Sequence, residues 1–232
     1  MDSLNKLNLE ITACTKCPRL VEHRQWVSIA KKRMYRTSEY WGKPLTGFGD
    51  LEARVLVIGL APAAHGGTRT GRIFTGDRSG QWLYETLHKF GFSNSPESVH
   101  RGDGLTLHGV YITAAGRCPP PLNKPLPQEL SNCRPFLLRE LTLLRKVHVI
   151  VVLGKIAFDA YLASRRERQE NVPSPKPKFR HGASFELTGG ITLIASYHPS
   201  QQNTFTGKLT RPMFEGIFSN ARALITTRHA IS

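Results

Sequence analysis

Four nearly continuous apolar segments constrain the fold of this chain more than any other feature. Each is short, rich in β-branched residues and lacks polar alternation, a pattern typical of strands covered on both faces of a parallel sheet. Helical patterns separate them, which predicts a three-layer α/β/α sandwich with a central four-stranded parallel sheet. The segments are ARVLVIGLAP from Ala53, GVYITAAG from Gly109, VHVIVVLG from Val147 and GITLIASYH from Gly190.

The predicted helices lie in a single domain covering residues 1–232. Ser79 is expected to cap the first helix of the sandwich and Gly91 to end it. Residues 1–50 are expected to form a basic N-terminal extension, a helix followed by irregular chain, docked on the sheet. The helical patterns are SGQWLYETLHKFG from Ser79, LPQELSNCRPFLLRELTLL from Leu126, KIAFDAYLASRRERQ from Lys155 and RPMFEGIFSNARALI from Arg211, with loops predicted at 171–182 and 196–210.

The charge of the chain favours a polyanionic partner. Lys and Arg number 32 against 17 Asp and Glu, a net charge of +15, and basic side chains that neutralise phosphates release condensed counterions. The alternative is charge that serves only solubility. The longest apolar run, VIVVLG from Val149, is far shorter than the ~20 residues of a membrane helix, and the first ten residues are not a secretory signal. An intracellular, cytoplasmic protein is expected.

Every unusual polar stretch follows one of the four predicted strands. Ligands of open α/β sheets bind at the carboxyl ends of the strands. Because all these stretches fall on the same edge of the sheet, the sequence predicts a single active cleft there. The stretches are GLAPAAHG (59–66), AAGRCPPP (114–121), GK (154–155) and YHPSQQN (197–203).

Four cysteines suggest one metal or cluster site. Cys14 and Cys17 form a C-x-x-C pair, and Cys118 and Cys133 complete the set. Four thiolates satisfy one tetrahedral zinc ion or one iron–sulfur cluster, and the spacing does not decide between them. Four inert structural thiols are the alternative. A site would join the N-terminal extension to the core, with a structural role.

These motifs together resemble family 5 uracil-DNA glycosylases. The resemblance covers roughly residues 12–225 and rests on GLAPAAHG, FTGDRSG, CPPPLNKP and HPSQQNTFTGKLT with the four cysteines. It implies a parallel sheet between helices, a structural 4Fe-4S cluster on Cys14, Cys17, Cys118 and Cys133, and excision of uracil from DNA. It also implies tolerance of other deaminated bases such as hypoxanthine.

Such a reaction needs an everted base, a surface on which it stacks and donors to its oxygens. Phe74 is the candidate stacking platform, with a core phenylalanine as the alternative. Asn123 is the candidate base reader, although an Asx turn between prolines would also suit it. His198 is expected to donate to the base oxygen where negative charge develops.

The acid that would act on water is harder to place. The relatives' first motif carries an aspartate near Ala61, whereas GLAPAAHG has no carboxylate. Asp77 is therefore expected to support the sugar cation or orient the water, with capping of the following helix as the alternative. His65 is a weaker candidate. Backbone amides around Gly59, Ala61 and Ser79 are expected to bind oxygens of the base or phosphate.

A second departure from the relatives concerns base recognition. Ala114 stands where sister families place an asparagine, and an alanine cannot read uracil. A pocket with fewer fixed hydrogen bonds discriminates less between bases. The 198–210 loop, HPSQQNTFTGKLT, is expected to enter the DNA groove, with Ser200, Asn203 and Lys208 near phosphates and Phe205 or Leu209 filling the vacated stack.

Three other functions compete with this interpretation. A family 4 glycosylase is the nearest, and it is disfavoured by the missing carboxylate and asparagine. A non-catalytic nucleic-acid-binding protein with a metal staple explains the charge and cysteines only. A phosphate-binding nucleotide enzyme is weakest, because neither a Walker loop nor a dinucleotide glycine pattern occurs.

Overall fold

The computed structural model describes residues 2–227, in which six strands form one mixed sheet of order β1-β3-β2-β4-β6-β5. The predicted four-stranded parallel sheet forms its centre, and a short antiparallel strand borders each side. The strands are β1 Phe48–Gly49, β2 Val55–Gly59, β3 Val110–Ala114, β4 Val149–Leu153, β5 Ser184–Leu187 and β6 Ile191–Ser196.

The register of the parallel strands aligns their carboxyl ends. Gly59 of β2 pairs with Ala114 of β3, and Leu153 of β4 pairs with Ser196 of β6. The central strands are buried along their whole length apart from Ile191 at the start of β6, as continuous apolar runs require. The loops after these four strands therefore emerge side by side.

Helices cover both faces of the sheet. They are α1 Leu4–Thr12, α2 Pro18–Ala30, α3 Gly67–Thr70, α4 Arg78–Lys89, α5 Pro127–Leu143, α6 Lys155–Glu167, α7 Gln201–Phe205 and α8 Arg211–Thr227. On one face α4 and α8 pack through Leu83 and Phe214, and on the other α5 and α6 pack through Leu137 and Phe158. This arrangement is the predicted three-layer sandwich. No helix within residues 2–227 is long and apolar enough to cross a bilayer.

Three local predictions are wrong. The cap of α4 is Asp77, whose side chain accepts from the Gly80 amide, and not Ser79. The 196–210 loop contains α7, a single helical turn that Ser200 caps. The N-terminal segment holds α1 and α2 rather than one helix, and α1 buries Leu7 and Ile11 against Phe136 of α5.

Candidate active site

Phe74 and His198 face each other at the carboxyl edge of the sheet. Their ring centroids are 5.8 Å apart and the ring planes are inclined by 27°, so the side chains stack. Phe74 lies between α3 and α4, whereas His198 directly follows β6. The structure thus brings together the two side chains that the sequence analysis assigned to the base and its leaving electrons.

The backbone is closely fitted around Phe74. This residue has a φ of +53°, in the left-handed region that non-glycine residues rarely adopt. A Cβ at Gly59 would lie 2.6 Å from the Phe74 ring, and one at Gly80 would lie 1.7 Å from the Phe74 carbonyl oxygen. Both positions therefore need glycine, since any larger residue would displace Phe74.

His198 is a neutral donor at physiological pH. Burial lowers its pKa to about 4, and its ring forms no hydrogen bond with another residue of the described chain. The Asn203 side chain donates to the His198 carbonyl oxygen at 2.9 Å, which fixes the backbone of the loop. The imidazole is thus positioned, uncharged and available to a ligand.

His181 supports the same loop, a role that sequence analysis missed. Its Nδ1 accepts from the Tyr197 amide at 3.1 Å, and its ring stacks on Tyr197 with centroids 5.1 Å apart. His181 lies in the segment predicted to be a loop, where nothing in the local sequence signals a contact with β6. Burial lowers its pKa, which favours the neutral form that can accept this bond.

Asp77 is both a helix cap and a partly buried carboxylate. One oxygen accepts from the Gly80 amide at 2.9 Å, as in the alternative that the sequence analysis gave. The other oxygen faces the 59–66 loop, where a Cβ at Gly66 would lie 2.2 Å from it. Burial raises the pKa of Asp77, opposed by hydrogen bonds from the Gly80 and Ser79 amides.

The 59–66 loop offers backbone donors next to this pair. The amides of Ala61, Ala63, Ala64 and His65 donate to no acceptor within residues 2–227, so they remain available for oxygens of a ligand. Ala115 and Gly116 hold the base of the loop by donating to the carbonyls of Gly59 and Leu60. The His65 ring is already engaged by the Tyr40 hydroxyl at 2.9 Å.

Asn123 lies at the tip of a different loop. It is exposed, has a φ of +57° and ends a 3-10 turn, Pro121–Asn123. Its side chain makes no hydrogen bond with the rest of residues 2–227. Asn123 therefore shares the sheet edge with Phe74 and His198 but is exposed, whereas those two residues are half-buried.

The 198–210 loop exposes two of its predicted DNA contacts, Phe205 and Lys208, and buries a third, Leu209. Lys208 is exposed with its ammonium 4.9 Å from the Tyr197 ring centroid. Phe205 is 66% exposed and stacks on the Arg78 guanidinium. Leu209 is 1% exposed within the core beneath α4 and α8, so its prediction as a wedge is wrong. Ser200 caps α7.

The four cysteines converge on the side of α5. Burial, together with the proximity of the other three thiols, raises the pKa of Cys118 to about 12, although Arg24 opposes the rise. The Asn132 amide donates to the sulfur of Cys17 at 3.4 Å, and the Arg117 backbone amide donates to Cys133. No group of three or more His, Cys, Asp or Glu side chains in residues 2–227 is arranged to hold a metal ion.

Comparison with known proteins agrees with this geometry. The family model of the uracil DNA glycosylase superfamily matches residues 46–222. A type-5 uracil-DNA glycosylase of Thermus thermophilus is 53% identical over 92% of this chain and 94% of its own length, and one of Mycobacterium bovis is 46% identical over 96% and 82%. A type-4 uracil-DNA glycosylase of Pyrobaculum aerophilum is 28% identical over 95% and 92%.

Proposed function

This chain belongs to the uracil DNA glycosylase superfamily, among the type-5 uracil-DNA glycosylases, and we propose how its own residues perform the reaction. The enzyme excises uracil from DNA by hydrolysing the N-glycosidic bond. Its greater identity to type-5 than to type-4 relatives decides between those two alternatives. A non-catalytic nucleic-acid-binding protein is not supported.

The observation that carries the proposal is the stacked pair of Phe74 and His198. When the bond between sugar and base breaks, its electrons move to the base and negative charge develops on the base oxygens. Water adds to the sugar carbon, and the proton that it loses passes through solvent to the released base. A neutral His198 N–H aimed at a base oxygen would stabilise that charge, as preorganised donors do in other leaving-group and oxyanion sites.

The two rings must separate to admit a base. A planar base in contact with a ring on each side needs roughly 7 Å between the rings, whereas the observed centroids are 5.8 Å apart. We propose that the base stacks on Phe74 and displaces the His198 ring toward the edge of the base. An imidazole at the edge can donate to an oxygen, which a ring above the plane cannot do.

Asp77 would act on the sugar side of the bond. Its second carboxylate oxygen lies beside Gly66 of the 59–66 loop, and the amides of Ala61 and Ala63 in the same loop have no acceptor in the described chain. We propose that the carboxylate favours the cationic sugar or orients the water, while these amides bind oxygens of the base or phosphate. Ser79, Ser200, Asn203 and Lys208 would lie along the DNA backbone.

Base selection would be permissive. Ala114 and Ala115 are buried at the end of β3 and offer no side-chain hydrogen bond, so Gly59, Ala61 and the exposed Asn123 would supply the polar contacts to the base. Few fixed contacts allow several deaminated bases to bind. We propose that hypoxanthine is released as well as uracil.

A panel of duplex oligonucleotides tests this specificity. Each would carry uracil, hypoxanthine, xanthine or an unmodified base at one position, and alkali would cleave at abasic sites under single-turnover conditions. Release of uracil and hypoxanthine, without release of unmodified bases, is expected. Release of uracil alone would overturn the permissive pocket and leave uracil excision intact. No release of uracil by folded protein would overturn the catalytic assignment itself.

We propose that Cys14, Cys17, Cys118 and Cys133 hold a structural 4Fe-4S cluster. In such a cluster each thiolate binds a different iron, so the thiols need not close around a single ion. The Nε atoms of Arg24 and Arg117 are buried without an acceptor in residues 2–227, and both residues influence the pKa of these thiols. An anionic cluster would give these donors acceptors. When bound, it would supply a structural cross-link between residues 14–17 and α5.

Two further proposals concern the whole protein. We propose that the enzyme acts as a monomer, since a single chain carries Phe74, His198 and the positive charge. We also propose a cytoplasmic location at the nucleoid, where its DNA substrate lies.

A further inference from the structure

Leu122 is an apolar side chain held out into solvent. It is 85% exposed, and no large apolar side chain within residues 2–227 is more exposed. It lies in the 3-10 turn that follows β3, next to the candidate base reader Asn123. A single exposed leucine is ordinary on a protein surface, so its backbone and its setting decide whether it matters.

The backbone of Leu122 is strained. Leu122 has φ +53° and ψ +24°, and Asn123 follows with φ +57°. Left-handed backbone is sterically unfavourable for a residue with a Cβ, whereas glycine adopts it without that clash. A leucine with this backbone conformation destabilises the folded protein. Backbone strain of this kind concentrates at functional sites.

The loop is rigid on both sides of Leu122. Prolines at 119, 120, 121, 125 and 127 restrict its backbone. The Arg19 side chain donates to the Lys124 carbonyl at 3.2 Å and pairs with Glu129 at 2.7 Å. Glu129 in turn accepts from the Leu126 amide at 2.7 Å. The leucine is thus preorganised, and burying it against a partner costs little additional ordering.

Two exposed apolar tips lie on opposite sides of the active site. Leu122 follows β3 and Phe205 follows β6, while β2 and β4 lie between those strands in the sheet. Phe74 follows β2, so the base pocket lies between the tips. A DNA duplex bound across this edge with its uracil at Phe74 would therefore extend toward both loops.

We propose that Leu122 packs against the base stack of duplex DNA beside the everted nucleotide, on the side of the pocket opposite Phe205. This inference rests on the proposed function, because it needs DNA as the substrate. Everting a nucleotide leaves unstacked base faces, and apolar side chains are the groups that proteins insert there. Leu122 would contact the bases in the duplex and have no comparable surface in a single strand.

Replacing Leu122 by glycine provides a sharp test. L122G removes the side chain and also relieves the left-handed backbone, so its thermal midpoint should match or exceed that of the parent protein. Its affinity for a duplex with a tetrahydrofuran abasic site should fall by about tenfold, the effect of losing one buried leucine. Its affinity for the corresponding single strand should change by less than about twofold, which is within ordinary surface effects.

Controls separate this effect from general damage. Asparagine tolerates left-handed backbone, so L122N should behave like L122G if the apolar side chain is what matters. Leu51 is 60% exposed in the turn before β2, at the other edge of the sheet, and L51A should leave both affinities unchanged. Parent-like duplex binding by L122G, or equal losses on duplex and single strand, would overturn the proposal. Uracil excision by the parent protein tests the proposed function separately.

Discussion

At the scale of single residues, the candidate active site contains two groups whose protonation is set by desolvation, His198 and Asp77. His198 is kept neutral and Asp77 is harder to ionise than an exposed aspartate, because both side chains are removed from water. A neutral imidazole can donate its N–H to the base oxygen on which negative charge develops, and no ion pair has to be broken first. The two groups therefore suit opposite sides of the breaking bond.

The role of Asp77 as a helix cap can be tested separately from its role in the reaction. D77S retains a side chain that caps α4, whereas D77A does not, and loss of a cap costs about 1 kcal/mol. We expect D77S to keep the stability of the parent protein in urea unfolding, while both variants lose uracil excision by about 100-fold, the scale of a positioned acid or base. Recovery of excision in D77S would reduce Asp77 to a cap.

The desolvated imidazole of His198 predicts a pH dependence of stability. The His198 pKa is about 4 in the folded protein against 6.5 without burial. Between these pH values the unfolded chain binds a proton that the folded chain does not, so the free energy of unfolding falls as pH falls, by on the order of 3 kcal/mol. Urea unfolding at pH 7 and pH 4.5 should show a smaller decrease for H198N than for the parent or for H100N, in which an exposed histidine is replaced. An equal fall in the free energy of unfolding for H198N and the parent protein would contradict a neutral, desolvated His198.

The sequence could predict the meeting of Phe74 and His198, but not the details around them. The carboxyl ends of parallel strands lie at one edge of the sheet, so motifs that follow β2 and β6 are expected at the same edge, with only β4 between them. The burial of Leu209 could not be foreseen, since one apolar residue in a polar loop fits a wedge as well as a core. The role of His181 could not be predicted either, because its partner is the backbone amide of Tyr197 and no sequence pattern indicates such a contact.

At the scale of elements, a buried ion pair joins α5 to the end of β3. Arg117 pairs with Glu140 at 2.6 Å, both are almost wholly buried, and the Thr113 hydroxyl also donates to Glu140 at 2.6 Å. Arg117 directly precedes Cys118, so this contact fixes the start of the loop that carries Leu122. Burial of two charges is tolerated because each satisfies the other.

Neutralising one member of this pair should be costly. E140Q leaves the Arg117 charge buried without a counter-charge, and we expect a loss of about 3 kcal/mol in the free energy of urea unfolding. E215Q, at the exposed pair of Lys89 and Glu215, should cost less than about 1 kcal/mol. If the two variants lost equal stability, the buried pair would have no special part in joining α5 to β3.

The elements that sequence analysis missed are those without an apolar signal. β1 has two residues, and β5 alternates between exposed and partly buried positions before ending at the buried Leu187. α7 contains no buried residue and depends on the Ser200 cap and on contacts within its loop. The central strands could be predicted because burial on both faces requires continuous apolar residues.

At the scale of the whole molecule, the cysteine site would join the N-terminal helices α1 and α2 to α5 and to the loop after β3. Residues 14–17 lie between α1 and α2, while Cys118 precedes the Leu122 loop and Cys133 lies in α5. Loss of a group bound by these thiols would therefore loosen the N-terminal helices and that loop, at a distance from the Phe74 ring.

Removal of the proposed cluster provides its test. Protein purified without oxygen should show the broad visible absorption of an iron–sulfur cluster and about four irons per chain. A chelator with an oxidant should abolish that absorption, lower the thermal midpoint and increase hydrogen exchange in residues 13–30 and 117–133. C133S should do the same, while S95A in an unrelated loop should not. Iron-free protein of unchanged midpoint and exchange would contradict a structural cluster.

The pairing of Phe74 with His198 is most directly tested by single-turnover release of uracil from a duplex oligonucleotide. H198A should slow release by about 100-fold or more, as loss of one preorganised donor does. F74L should weaken base binding while the protein stays folded, and F90L, outside the catalytic edge, should match the parent enzyme. Rapid release by the parent protein and slow release by H198A and F74L are expected; parent-like release by both variants would contradict the roles assigned to Phe74 and His198.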